Sequence, residues 1–204
     1  MRPSWLMLLV LPLLGCPKGG ETDTSGATRS TCYRDIQGDL QTIRKRLEKG
    51  RPVEARLYVE GLAECPEALG SIEYHLLDSG IAEELGDLNG AWAAALRGML
   101  LAGNAADAEA SAFFKAAVAR FHADYVWLAR GAGTEPPAIR YAGAVVDDET
   151  LRQLEDIAEG RSVRSESGEA GYWVYPGRYR IQGVVVALSA GQAHRLDPPT
   201  GGSP

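Results

Sequence analysis

The sequence predicts an α+β protein in which a helical region is followed by a small β-rich region. Apolar residues recur at intervals of three and four through the first two thirds of the chain, which is the spacing of one helix face. The pattern then changes to the two-residue alternation of strands. A glycine- and proline-rich stretch separates the two patterns. We therefore expect a helical domain over 31–132, a linker over 133–137 and a β-rich domain over 138–198.

Five helices are expected in the first domain. The first helix has Ile36, Leu40, Ile43 and Leu47 on one face, and Gly50 ends it. Pro52 suits the first turn of the second helix, and Pro66 follows its end. The third and fourth are expected at about 68–85 and 88–102. The fifth helix is expected from Asn104 to Arg130, with the apolar stripe Phe114, Val118, Phe121, Tyr125 and Leu128.

The second domain is expected to contain five strands and one short helix. Strand patterns occur at 138–146, at 172–175, around Tyr179 and Ile181, and at 193–196. The run 184–188 is β-branched, and we expect it to be a buried strand. A helix is expected over 148–159, and 162–171 is expected to be a polar loop.

The first sixteen residues have the pattern of an export signal. Arg2 supplies positive charge, and the apolar run from Trp5 to Leu14 is too short to span a membrane as a helix, which takes about 20 residues. The run ends in Leu-Leu-Gly-Cys, which resembles the lipobox of bacterial lipoproteins. That resemblance implies a signal peptide over 1–15, cleavage after Gly15 and lipidation of Cys16. The alternative is an ordinary export signal that Cys16 merely follows.

The lipobox resemblance also implies a location. We expect a protein anchored to a membrane of the bacterial cell envelope through Cys16, on the periplasmic side of the outer membrane. Residues 16–30, rich in Gly, Ser and Thr, would form a flexible tether with a root-mean-square reach of about 20 Å. The tail 199–204 is expected to be disordered. A net charge of −6 argues against a nucleic-acid partner.

The two remaining cysteines form an even pair in a chain that is expected to be exported. Cys32 lies at the start of the first predicted helix and Cys65 at the end of the second. If these helices are antiparallel, both cysteines lie at the same end of the pair, at about 27 and 22 Å from the turn. We expect a Cys32–Cys65 disulfide, with two buried thiols as the alternative.

The helical region has an internal repeat. The pair Lys49-Gly50 precedes Ala55 by the same offset by which Leu85-Gly86 precedes Ala91, so the pattern recurs after 36 residues. This spacing resembles the 34-residue tetratricopeptide repeat. The resemblance implies an array of helix pairs with a concave surface for a protein partner. A plain antiparallel helical bundle is the alternative.

The segment Tyr175-Pro-Gly-Arg-Tyr-Arg-Ile-Gln-Gly, followed by Ala190-Gly-Gln, is similar to the PEGA family of small extracytoplasmic β-domains. That similarity covers about thirty residues. It implies a compact β-sandwich that serves in binding or surface display, and it implies no catalysis.

The sequence contains no catalytic, metal-binding or cofactor-binding motif that we recognise. His75, His122 and His194 lie in unrelated settings, and no zinc-type spacing of Cys and His occurs. Phosphate-loop, dinucleotide and G-x-S-x-G patterns are missing as well. An enzyme is therefore the least favoured class of function, and we expect neither a metal nor a cofactor.

The most suggestive side chains are the aromatic residues Tyr172, Trp173, Tyr175 and Tyr179. Strand alternation places Trp173 and Tyr175 on one face and Tyr172 on the other. We expect these residues mostly to pack in the core, and an exposed face would instead suit a sugar ring or a protein. The leading expectation is a non-enzymatic scaffold or adaptor within an envelope protein assembly. The alternative is a peptidoglycan-binding module that uses Trp173 and Tyr175, and an unrecognised hydrolase comes third.

Overall fold

A computed structural model of the chain describes residue 32, residues 34–131 and residues 137–196. The described part has the predicted α+β order, a helical region followed by strands in two small sheets. The predicted signal peptide, Cys16, the tether, most of the linker and the tail lie outside the described residues. Within the described ranges, no helix is both long and apolar enough to cross a membrane.

The helical region consists of six helices joined by short turns. The bounds are α1 Ile36–Glu48, α2 Pro52–Leu62, α3 Pro66–Leu69, α4 Ile72–Glu84, α5 Leu88–Asn104 and α6 Ala108–Asp124. Three of the turns have one residue in the left-handed conformation, at Gly50, Gly86 and Ala106. Such tight turns reverse the chain, so α1 packs on α2, α4 on α5, and α5 on α6.

Three of the predicted helix boundaries are wrong. The fifth helix begins at Ala108 and not at Asn104, because Asn104 ends α5 and Asp107 caps α6 by accepting the N–H of Ala110. The helix expected from residue 68 is broken at Gly70, because Ser71 caps a new helix by accepting the N–H of Tyr74. The helix expected to reach Arg130 ends at Asp124, and Val126–Arg130 is strand β1. A short, wholly apolar run fits either a helix or a strand, and here pairing with two neighbouring strands decides the outcome.

Sheet A has the strand order β3-β4-β1-β7. Its other strands are β3 Val163–Arg164, β4 Ala170–Val174 and β7 Ala193–Leu196. Strand β1 pairs antiparallel with β4, which places Trp127 opposite Trp173, and it pairs parallel with β7. The polar loop expected over 162–171 is therefore wrong at both ends, because β3 and the start of β4 fall inside it. The expected domain boundary after residue 132 also falls after this sheet's β1.

Sheet B has the order β2-β5-β6, with β2 Ile139–Tyr141, β5 Gly177–Ile181 and β6 Val184–Leu188. The β5–β6 hairpin turns at Gln182 and Gly183, which both have positive φ. Helix α7, Asp148–Ala158, forms where a helix was predicted, capped by Asp147.

The molecule is built in layers, with sheet A in the middle. On one face, Trp127, Ala129 and Trp173 pack with residues of α5 and α6. On the other face, Leu128, Tyr172 and Val174 pack with α7 and with the inner side chains of sheet B. Both faces of sheet A are thus core, which explains why all but the last residue of β1 are buried.

Strand β6 is not the buried strand that its sequence predicts. It lies at the edge of sheet B, and Val184 and Val185 are 65% and 41% exposed. A β-branched run indicates a strand, but it does not say how many of the strand's faces are covered.

Candidate functional site

The structure joins the two predicted cysteines. Cys32 and Cys65 form a disulfide with a Cα–Cα distance of 5.2 Å, across a sequence separation of 33 residues. Cys65 is buried against the core of α1, α2 and α4. A bridge that closes a loop of this length stabilises a fold by about 3–4 kcal/mol in the chain-entropy account. The bridge ties the start of the described chain to the end of α2, which makes it structural.

The predicted aromatic residues pack in the core. Trp173 is 1% exposed, and its ring lies 4.9 Å from that of Trp92 and 5.1 Å from that of Trp127, measured between ring centroids. Tyr175 is half-buried, with its ring 5.5 Å from that of Tyr125. This confirms the packing interpretation and leaves Trp173 no surface on which a sugar ring could stack.

A few polar contacts fix this aromatic layer. The indole N–H of Trp92 donates to the backbone oxygen of Arg164 at 2.7 Å. The side-chain oxygen of Asn89 accepts the backbone N–H of Trp173 at 2.9 Å, and its amide nitrogen donates to Asp156 at 3.3 Å. Asn89 thus links α5 to both β4 and α7, which fixes the position of the helical region relative to sheet A.

A small cavity of about 100 Å³ lies beside these rings, lined by His122, Trp127, Ser165, Trp173 and residues 191–193. The indole N–H groups of Trp127 and Trp173 have no hydrogen-bond partner among the described residues, yet both nitrogens are inaccessible to water. The cavity is well below the 300–1,000 Å³ of a typical ligand site. We therefore assign it to imperfect packing around large rings.

The larger concavity is a cleft of about 710 Å³ between the helical region and the α7–β3 segment. One wall comes from α2 and the start of α5, including Arg56, Glu60 and Asp87. The opposite wall comes from α7 and the residues after it, including Arg152 and Arg161. Its volume is within the range of sites that hold a ligand or a short peptide segment.

Arg56 is the centre of the charge network in this cleft. Its guanidinium group lies 3.1 Å from Asp78, 3.2 Å from Glu60 and 3.6 Å from Asp87. Burial is the main cause that raises the pKa of Asp78 to about 6, and Arg56 acts in the opposite direction. Asp78 therefore depends on Arg56 to stay ionised near neutral pH.

The opposite wall is also paired within the protein. Arg161 contacts Asp156 at 2.6 Å and also pairs with Glu159. Arg152 donates to the backbone oxygen of Leu85 at the end of α4. The three arginines of the cleft walls, Arg56, Arg152 and Arg161, therefore all have partners within the protein.

An apolar shoulder adjoins the cleft on α2. Val53 and Leu57 are 66% and 65% exposed, and their positions on the helix continue the face that carries Arg56 and Glu60. A polar groove beside exposed aliphatic residues has the mixed character of a protein–protein interface.

The cleft is a site that the sequence did not predict. Its residues come from α2, from α5 and the turn before it, and from α7 and the residues after it, between Arg56 and Val163, so no local motif marks it. The three histidines remain in separate places. The Nε2 atom of His75 is hydrogen-bonded to the backbone oxygen of Leu69, and the Nε2 atom of His122 is hydrogen-bonded to the carboxylate of Glu166. Across the described ranges, no group of three or more metal-binding side chains occurs.

The chain matches no family model, no curated protein and no solved structure.

Proposed function

We propose that the protein is a membrane-anchored, non-enzymatic adaptor of the bacterial cell envelope that binds a partner protein through the cleft and its apolar shoulder. The observation that carries this proposal is the shoulder formed by Val53 and Leu57, exposed beside a groove with paired charges. Exposed aliphatic side chains supply contact area, and the fixed polar groups of the groove supply specificity.

The anchoring part of the proposal depends on the sequence. The lipobox-like ending at Cys16 supports lipidation, and multiple acyl chains hold a protein stably on a membrane. The disulfide between Cys32 and Cys65 agrees with an oxidising compartment, in which such bridges persist.

The described helices refine where a partner would lie. The face of α5 and α6 that carries Trp92 and Phe121 is covered by sheet A, so that face is not free for a partner. The outer side of α2 is exposed at Val53 and Leu57. We therefore propose that the partner lies on α2 and in the cleft, within the region whose spacing resembles tetratricopeptide repeats.

The proposal is tested by photo-crosslinking in intact cells of the source organism. A benzophenone amino acid replaces Leu57 in one variant and Leu100 on α5 in a matched control, because both leucines are 65% exposed on helices. We expect the label at position 57 to give one crosslinked product of discrete mass with a partner protein. The label at position 100 should give no product of that mass.

A second variant, Arg161→Gln, alters the far wall of the cleft without touching α2. If the cleft takes the partner, this change reduces the yield of the position 57 adduct. The same adducts from both labelled positions, or none from position 57, would contradict the proposal.

A further inference from the structure

Sheet B has one face that packs on nothing in the described structure. Ile139, Tyr179 and Ile181 point inward and are buried, so alternation sends Arg140, Arg178 and Arg180 to the opposite side. The strand register places Val185 and Ala187 of β6 beside Arg180 and Arg178. We call these five residues, Arg140, Arg178, Arg180, Val185 and Ala187, the outer face.

The arginines of the outer face are arranged in a way that costs stability. Arg140 lies directly opposite Arg180 in the β2–β5 register, and Arg178 is two positions along the same strand as Arg180. Directly opposite side chains have Cβ atoms about 5 Å apart, and like charges in such a pair destabilise a sheet. Negative charge placed over these three cations would offset their repulsion.

The protein itself does not supply that negative charge in the part that the structure describes. None of the three arginines forms an ion pair with a described carboxylate, although Arg180 also donates to the backbone oxygen of Gly183. The whole chain is acidic, with 27 acidic against 21 basic residues. A negatively charged surface would therefore repel most of the molecule and attract this face, which fixes an orientation.

Exposed aliphatic residues accompany the arginines. Val185 of the outer face is 41% exposed and lies opposite Arg180 on the uncharged edge strand β6, and the exposed Val145 follows β2 in the loop before α7. Arginines flanked by exposed valines suit the interface of a bilayer, where the aliphatic groups enter the headgroup region and the guanidinium groups bind phosphates.

We propose that the outer face of sheet B lies on a membrane surface that contains anionic phospholipids and binds their phosphate groups through Arg140, Arg178 and Arg180. This inference rests on the membrane anchor proposed above, because the anchor holds the sheet near a bilayer. The 15 residues from Pro17 to Thr31 span about 50 Å when extended, which lets a flat face settle on that bilayer.

The test measures how fast each arginine reacts with phenylglyoxal in the membrane-extracted full chain, reconstituted into vesicles. One set of vesicles contains only neutral phosphatidylcholine, and the other also contains phosphatidylglycerol. Peptide mass spectrometry reports each arginine separately. Attraction of one arginine to an anionic surface corresponds to about a fivefold change, so we expect Arg140, Arg178 and Arg180 each to react about fivefold more slowly on the anionic vesicles.

Arg97 is the matched control, because it is exposed on α5, away from sheet B, and forms no ion pair with a described carboxylate. Its rate should not depend on lipid composition. The protection of the outer face should disappear in about 1 M salt, where the Debye length is about 3 Å. Equal slowing of Arg97 and the outer face, or no slowing on anionic vesicles, would overturn the inference.

Two outcomes separate this inference from its foundations. The chain could dissociate from neutral vesicles while Arg140, Arg178 and Arg180 are still protected from phenylglyoxal on anionic vesicles. That result would support phosphate binding by the outer face and contradict the lipid anchor at Cys16. Protection by soluble polyglutamate but not by anionic vesicles would overturn the inference, because it would assign the face to an acidic protein surface.

Discussion

The cleft and the outer face both carry three arginines, but they differ in what surrounds the guanidinium groups. In the cleft, Arg56 and Arg161 each have carboxylate partners from the same chain within 3.2 Å, and Arg152 donates to a backbone oxygen. On the outer face, Arg140 and Arg180 have each other as opposite residues. The comparison indicates that the cleft arginines hold the fold together, whereas the outer-face arginines remain available to a binding surface.

The largest effect on stability is expected at Arg56. The change Arg56→Met keeps the aliphatic stem but leaves the mostly buried carboxylate of Asp78 without its cation. Loss of one partner from a buried pair costs 3–5 kcal/mol, and the partial exposure here reduces the expected cost to about 2 kcal/mol. Urea unfolding followed by tryptophan fluorescence measures it.

Lys115→Met serves as the control, because Lys115 is exposed on α6 and forms no ion pair with a described carboxylate, so its loss should change the free energy of unfolding by no more than about 0.5 kcal/mol. A similar cost for both variants would show that Arg56 is no more structural than an ordinary surface cation.

The second effect is a pH dependence that belongs to Asp78. Its pKa is raised from 3.8 to about 6 in the folded protein, so the folded state binds this proton more tightly than the unfolded state does. Its contribution is therefore most favourable below about pH 4 and is lost as the pH rises through 6. We expect a loss of about 1–2 kcal/mol across this window.

The measurement is the free energy of unfolding of the wild type and Asp78→Asn between pH 4 and 7. The difference in free energy of unfolding between the wild type and Asp78→Asn should change with pH only between about pH 4 and 6. The control is Glu48→Gln, because Glu48 is exposed and forms no ion pair among the described residues; its free energy of unfolding should follow that of the wild type at every pH. If the free energy of unfolding of Asp78→Asn also followed that of the wild type, the raised pKa of Asp78 would be contradicted.

The smallest effect has the opposite sign and concerns the outer face. Arg180→Thr removes the repulsion from Arg140 and introduces a residue that favours strands, so we expect a gain of about 0.5 kcal/mol in the free energy of unfolding. The matched control is Arg195→Thr on β7, which has Ala129 as its register partner and should show no such gain. A loss of stability in Arg180→Thr would mean that Arg180 is structural, as Arg56 is.

The sequence predicted the elements whose determinants are local. Helix α7 has its cap and its stop within a dozen residues, and it forms where expected. The Cys32–Cys65 pair followed from two helices joined by a tight turn at Gly50, and the structure places these cysteines at disulfide distance. Such features need no knowledge of distant residues.

The predictions from sequence were wrong for strands whose pairing or burial depends on residues far away in the chain. Strand β1 was predicted as the end of a helix because its run is apolar throughout, and only pairing with β4 and β7 makes it a strand. Strand β6 has the same apolar character and was predicted to be buried, yet only Leu188 is buried and Val184, Val185 and Ala187 are exposed. The two strands are similarly hydrophobic but differ in exposure. Strand β1 lies in sheet A, which is covered on both faces, whereas β6 lies in sheet B, which is covered on one face.

The most direct test of the account is the mass of the mature protein from the membrane fraction, because adaptor and outer face both require a nearby bilayer. We expect a chain that begins at Cys16 and carries covalently bound acyl chains at that residue. An unmodified chain, whether it begins at Met1 or at a residue after Cys16, would contradict the account.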